Sequence, residues 1–369
     1  MFAYRKLLAG PPIRAPFVGP KELERRRGRP YKARLGANEC LFGVSPLAMR
    51  VMAESGREVA FYSDPTNRDL RDAIAVSWGQ SLSRVVVAEG IEGLLGLFVR
   101  AFIEPGDVSI TSLGAYPSFD FYVSGCEGRV VHVPYLPSCW NDVDQLAEGA
   151  ERHRAKLLYL ANPDNPSGTL LPPLQIQRLI ERIPPTCVLL LDEAYAEFAG
   201  TELLPANMSW PNLVRLRTFS KLYGLAGARV GYALAESELV HALESIRQHF
   251  AVGKLSQEMA LAAFHDHTFL ADVLSQTDEG REEYCTLAGR IGATVLPSSA
   301  NFVAFDFGTA SLAKLMADYL EKRDVFVRRP SDPPLDRLIR VTVGPPEARA
   351  YLCEVLLEAM ASLQPMVIK

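Results

Sequence analysis

Lys221 stands one residue after a serine and eight before an arginine, in Arg217-Thr218-Phe219-Ser220-Lys221-Leu222-Tyr223-Gly224-Leu225-Ala226-Gly227-Ala228-Arg229. A lysine in such a glycine-bearing loop can carry a carbonyl cofactor as a Schiff base, and Arg229 would supply nearby positive charge. Ser220 and Arg229 can hold that cofactor's phosphate. Displaced by a substrate amine, Lys221 is placed to act as general base at the substrate's α-carbon. Asp192 directly follows the apolar run Val188-Leu189-Leu190-Leu191. A carboxylate buried at a strand end needs a positive partner. A protonated pyridine nitrogen would serve, and the ring could then accept electrons from a substrate carbanion. Tyr195 lies three residues on, and Asn165 sits in the turn Asn162-Pro163-Asp164-Asn165-Pro166-Ser167-Gly168. Both can reach an oxygen on the same ring.

Two further segments suit the same ligand. Gly90-Ile91-Glu92-Gly93 ends one apolar run and opens a helix over residues 94–102, so its backbone N–H groups form an anion site fit for phosphate. Tyr116, in Gly114-Ala115-Tyr116-Pro117, follows the next run and can stack on a planar cofactor. A Walker-B role for Asp192 is disfavoured because no G-x-x-x-x-G-K-[ST] occurs. His265-Asp266-His267 has no further ligand nearby in sequence and reads as an exposed helix end, so no metal is expected.

The chain of 369 residues is long enough for two domains, with 48% hydrophobic and 22% charged residues. A net charge of −4 gives no general attraction to nucleic acid. The basic run over residues 21–34 is broken by Glu22 and Glu24 and reads as a solvated arm or helix face. Six scattered cysteines without C-x-x-C read as reduced thiols. No signal-peptide pattern and no apolar run of membrane-spanning length occurs, so a cytoplasmic protein is expected.

The elements that must position these residues are legible as short apolar runs. Val85-Val86-Val87, Val108-Ser109-Ile110, Val130-Val131-His132-Val133, Leu157-Leu158-Tyr159-Leu160, Val188-Leu189-Leu190-Leu191, Leu213-Val214-Arg215-Leu216 and Val230-Gly231-Tyr232-Ala233 alternate with helical stretches. That is the pattern of a seven-stranded, mostly parallel sheet between helices, an α/β fold whose ligands sit at the strands' carboxyl ends. A proline-free helical stretch follows over residues 236–290. The remainder reads β, β, α, β, β, α, a smaller α+β unit. The expected division is an arm at 1–35, a large domain at 36–252 and a small C-terminal domain at 253–369.

Together these segments resemble the fold-type-I pyridoxal-phosphate aminotransferases, and within them the histidinol-phosphate aminotransferase subfamily. Supporting pieces are Leu35-Gly36-Ala37-Asn38-Glu39, Tyr62-Ser63-Asp64-Pro65, Pro105-Gly106-Asp107 and Ile339-Arg340-Val341-Thr342-Val343-Gly344. The resemblance implies a homodimer that uses pyridoxal 5′-phosphate. Lys221 would form the Schiff base, Asp192 would pair with the ring nitrogen, Asn165 and Tyr195 would contact the ring oxygen, and Tyr116 would stack. The phosphate would lie on Gly90, Ile91, Glu92, Thr218, Ser220 and Arg229, with Tyr62 reaching in from the second subunit. Arg340 would clamp a substrate α-carboxylate. Arg328 would meet a side-chain phosphate, with Arg329 adjacent, and Asn38 would contact substrate. The chain departs from the family at the phosphate cup (Ile91, Glu92, Gly93), at Asp164, and at Phe17, which stands where an arm tyrosine is common.

The implied reaction moves an amino group from an amino acid or histidinol phosphate to a 2-oxo acid such as 2-oxoglutarate. Aromatic or other amino acids remain open as donors. An amino-acid decarboxylase of the threonine-phosphate type is the alternative on a similar scaffold. A ligand sensor would carry a DNA-binding module, for which the roughly 35 residues before the resemblance are too few.

Overall fold

The computed structural model describes residues 16–200 and 202–367. After a helix at Pro20–Arg27, the chain forms β1 (Ala33–Arg34) and reaches the large sheet through two further helices. That sheet comprises β2 (Val85–Ala88), β3 (Val108–Ser112), β4 (Arg129–Val133), β5 (Leu157–Ala161), β6 (Val188–Asp192), β7 (Leu213–Thr218) and β8 (Gly231–Leu234). Its order is β2-β8-β7-β6-β5-β3-β4, and β8 alone is antiparallel to its neighbours. The seven apolar runs are therefore the seven strands. Every residue of β5, β6 and β7 is buried, as strands covered by helices on both faces require.

Helices at Gly90–Phe102 and Pro173–Arg182 help cover the sheet, placing Phe98 and Ile176 in the core at 0% exposure. Each such side chain contributes about 1.5–3 kcal/mol of burial. The first of these helices begins at Gly90, earlier than the expected residue 94, because Gly90 takes φ +76° and turns β2 directly into it. Beyond the sheet, β9 (Thr294–Val295), β10 (Phe302–Asp306) and β12 (Leu338–Thr342) form an antiparallel sheet with β10 in the middle. Between them in sequence, β11 (Val325–Phe326) pairs in parallel with β1, tying the arm to the C-terminal region. Arg27 and Arg29 reinforce that tie through Asp324, so part of the basic run is paired rather than merely solvated.

The helical stretch over 236–290 is three helices, Ser237–Ile246, Lys254–Phe264 and His267–Arg290. The second break falls at Asp266, which caps Phe269 N–H and also accepts from Ser45 Oγ (2.6 Å) and Leu47 N–H (3.3 Å). Asp266 is thus a buried tertiary anchor and not an exposed helix end. Among the described residues no His, Cys, Asp and Glu cluster could hold a metal.

Behind β6 lies a buried ion cluster. Glu193 accepts from Arg215 (2.7 and 2.9 Å) and Arg217 (3.0 Å), and Arg217 reaches Glu197 (3.0 Å). Both guanidinium groups lie over Trp78, at 4.6 and 4.8 Å. Burial alone would raise the Glu193 carboxyl, but Arg217 and Arg215 outweigh it and hold it below the usual range. Removing one member of such a cluster strands the others in low dielectric. Glu193→Gln is expected to lower the unfolding free energy by about 3–5 kcal/mol, read by urea denaturation.

Candidate functional site

The carboxyl ends of β5, β6 and β7 open into one cavity of about 290 Å³. Asn165 follows β5, Asp192 closes β6 and Thr218 closes β7, so three neighbouring strands deliver three expected residues. Ser220, Lys221 and Arg229 reach the cavity from the loop after β7, and Ile91 and Glu92 from the helix that opens at Gly90. Tyr116, Tyr195 and Asn38 line it too, as do Arg328 and Arg340 from the C-terminal region. Tyr62 does not enter: it is 85% exposed, its ring 5.0 Å from that of Phe250.

Asp192 is the central feature. Its Oδ2 accepts from the Tyr159 hydroxyl (2.6 Å) and its Oδ1 from the Ala194 N–H (2.9 Å), both neutral donors. Burial pushes its carboxyl up to about 6, while those two bonds and the Lys221 charge pull the other way. Lys221 does not bond to it: Lys221 Nζ donates to the Asn38 carbonyl at 2.9 Å and lies 5.4 Å from the Tyr195 ring centroid.

At one end of the cavity, donors converge. Arg229 donates to Ser220 Oγ (3.2 Å), and the Ser220 N–H donates to Thr218 Oγ1 (3.1 Å). A Cβ on Gly90 would lie 2.8 Å from an Arg229 nitrogen, so glycine permits the guanidinium to sit against the helix start. Helix N-terminus and guanidinium together make an anion site. The Glu92 side chain plays a part that the sequence did not show. It accepts from Tyr116 Oη (2.9 Å) and Ser118 Oγ (2.7 Å), fixing the ring expected to stack.

At the other end Arg340 donates to Asn165 Oδ1 and to the Gly36 carbonyl (2.8 Å), while its buried Nε finds no partner among the described residues. Burial lowers its proton affinity to about 10; Tyr195 opposes that shift and the Arg328 charge adds to it. Of the two adjacent arginines, Arg328 faces this cavity and donates to the Val18 carbonyl (2.8 Å), whereas Arg329 donates to the Asp336 carbonyl (2.9 Å). Phe17 packs on Tyr116 with ring centroids 5.3 Å apart, so the arm roofs the cavity without offering a hydroxyl. Asn38 lines the cavity with its amide engaged by Tyr195 (3.0 Å) and Thr342 (3.1 Å).

The residues present fit pyridoxal 5′-phosphate. A buried carboxylate bonded only to neutral groups suits a protonated ring nitrogen, the Gly90–Arg229 end suits the phosphate, and Lys221 lies in the same cavity, where it could supply the amine. Tyr159 was missed by sequence reasoning. Its signal was a hydroxyl-bearing residue inside an otherwise apolar β5 run, on the strand adjacent to Asp192.

Residues 31–356 match the family described as aminotransferase class I and II. A histidinol-phosphate aminotransferase of Roseiflexus castenholzii is 36% identical over 93% of this chain and 94% of its own. The structure of histidinol-phosphate aminotransferase from Sinorhizobium meliloti, in complex with pyridoxal-5′-phosphate, superposes with a TM-score of 0.93 at 39% identity, covering 98% of each chain. L-threonine-O-3-phosphate decarboxylase from Porphyromonas gingivalis, at 22% identity and a TM-score of 0.74 over 91% of this chain, shares the fold alone.

With its carboxyl raised from 3.8 to about 6, folded Asp192 binds more protons than the unfolded chain between those values, so its contribution to stability falls as pH rises through them. Asp192→Asn is therefore expected to stabilise the cofactor-stripped protein at pH 7–8, by roughly 1–3 kcal/mol, with little effect near pH 4. In the presence of pyridoxal phosphate the order is expected to reverse, because the parent alone would gain an ion pair with the ring nitrogen. Thermal melts with and without the cofactor across pH read both signs.

Proposed function

This chain belongs to the class I and II aminotransferases, and from that membership and the charges of the cavity we propose that it moves an amino group from histidinol phosphate to a 2-oxo acid, with 2-oxoglutarate as acceptor and pyridoxal 5′-phosphate held on Lys221. The observation that carries the reading is Asp192, a buried carboxylate with neutral donors facing the same cavity as the lysine.

Bound there, pyridoxal phosphate supplies an electron sink for negative charge at the donor's α-carbon. The chain's residues do the rest. Asp192 keeps the ring nitrogen protonated. Arg229, Ser220, Thr218 and the backbone at Gly90–Glu92 hold the phosphate, and Tyr116 covers the ring. Asn165 and Tyr195 donate to the ring oxygen. Lys221 Nζ would take a proton from the donor's α-carbon and return it two bonds away, at the cofactor carbon beyond the transferred nitrogen; the Asn38 carbonyl, 2.9 Å from Nζ, would keep the released amine within the cavity. Arg340 binds the oxo acid's α-carboxylate, and Arg328 binds the donor's phosphate. The Phe17 roof excludes water from the reacting atoms.

The reading includes a homodimer in the cytoplasm. Phe61, Tyr62 and Phe250 expose 72%, 85% and 44% of their surface side by side, an aromatic patch suited to a second copy. All six cysteines are unpaired, which fits a reducing compartment.

The test is the visible spectrum of the pyridoxal-phosphate-loaded protein on adding histidinol phosphate without an oxo acid. Loss of the lysine-bound absorption band, restored by 2-oxoglutarate, is the expected result; an unchanged band removes histidinol phosphate as donor. Lys221→Ala is expected to lower turnover by at least about 100- to 10,000-fold, the span of general-base contributions. Arg328→Ala should raise KM for histidinol phosphate about 10- to 100-fold, the loss of one charge-assisted bond, with a smaller effect on 2-oxoglutarate.

A further inference from the structure

Three buried residues fix the direction of a hydrogen-bond chain that ends in the cavity. The Asn38 backbone N–H donates to Thr342 Oγ1 at 3.0 Å, and Thr342 Oγ1 lies 3.1 Å from Asn38 Oδ1. The structure places Asn38 Oδ1 toward Thr342, where it accepts the hydroxyl proton, and Nδ2 toward Tyr195, where it donates to Oη at 3.0 Å. An amide nitrogen has no lone pair to offer, so Tyr195 Oη is the acceptor in that bond. Its own proton is left for a partner on the cavity side.

Asn38, Thr342 and Tyr195 are 1%, 0% and 4% exposed, so bulk water does not scramble the order. The Tyr195 ring is held edge-on to Phe302 (centroids 5.2 Å, planes 84° apart), and Thr342 is fixed by pairing with Phe302 in the C-terminal sheet. The Asn38 carbonyl receives Lys221 Nζ at 2.9 Å and Asn301 Nδ2 at 3.2 Å, so the residue that orients Tyr195 also places the lysine.

We propose that Thr342 is a positioning residue: through Asn38 it obliges Tyr195 to be a hydrogen-bond donor to the cofactor's ring oxygen. The inference rests on the reading above, in which Tyr195 faces that oxygen. A donor stabilises the oxygen in its anionic form and so lowers the proton affinity of the adjacent lysine-linked nitrogen. Without Thr342 the Asn38 amide can turn, present Oδ1 to Tyr195 and draw its proton away from the cavity. The charged groups around that nitrogen are Glu39 next to Asn38, Asp192 from β6, Arg229 from the loop after β7, Glu92 from the helix opening at Gly90, and Arg328 and Arg340 from the C-terminal region. Substituting Thr342 alters none of them.

The experiment is a pH titration of the visible absorption of the holoenzyme for the parent and for Tyr195→Phe, Thr342→Val and Thr342→Ser. Tyr195→Phe is expected to raise the midpoint. Thr342→Val should raise it in the same direction by at least half as much, and Thr342→Ser, which keeps the hydroxyl, should titrate with the parent. Thr342→Ala, which also lacks a donor, replaces Thr342→Val if the latter does not fold. A raised midpoint in Tyr195→Phe with parental midpoints in the valine or alanine variant overturns the relay. A parental midpoint in Tyr195→Phe itself overturns the placement of Tyr195, and the relay with it.

Discussion

The structure is organised around one costly placement: a carboxylate at the end of a fully buried strand with only neutral hydrogen-bond donors. Isolated charge in low dielectric is unfavourable enough to shift its own protonation, and Asp192 shows that shift. Tyr159 and Ala194 soften the cost without supplying a cation. The other charges of the cavity are kept apart from it. Arg229 lies against the helix start, Arg340 is held by Asn165 and Gly36, and Lys221 is drawn to the Asn38 carbonyl. The cavity therefore presents separated charges, an arrangement that a flat ligand with a cationic ring nitrogen and an anionic tail would complete.

Neighbouring residues show how far surroundings decide chemistry. Asp192 and Glu193 are consecutive at the end of β6, and successive side chains of an extended segment point to opposite faces. Asp192 meets Tyr159 and the cavity, and burial raises it. Glu193 meets Arg215 and Arg217, which overcome burial and lower it. One carboxylate is left wanting a cation from outside the chain, and the other is neutralised within it.

Much of this was legible in sequence because burial on both faces writes itself as short apolar runs. All seven strands of the large sheet lie where such runs stand, and Asp192, Asn165 and Lys221 are marked by their position just after them. Strand direction was not legible, since the composition of β8 carries no sign of its antiparallel course. Nor was the division of residues 236–290, because the break at Asp266 is set by Ser45 and Leu47, more than 200 residues away in sequence. Arg328 and Arg329 could not be told apart before geometry showed one facing the cavity and the other the Asp336 carbonyl. Tyr159 hid inside an apolar run, its hydroxyl visible only once β5 and β6 were adjacent.

Hydrogen-bond direction links the C-terminal sheet to the cavity. A guanidinium has donors and no acceptor, so Arg340 occupies Asn165 Oδ1 and leaves that amide's protons uncommitted. Thr342, two residues further along β12 and so on the same face of the strand, sets the Asn38 amide that receives on one side and donates to Tyr195 on the other. One face of one short strand thereby governs both side chains proposed to donate to the ring oxygen, although neither Asn165 nor Tyr195 belongs to that sheet. The pairing of β12 with β10 at five consecutive positions holds that face in register. The orientation of the donors is thus a property of how the C-terminal sheet seats against the large one, and any change in that seating acts on Asn165 and Tyr195 together.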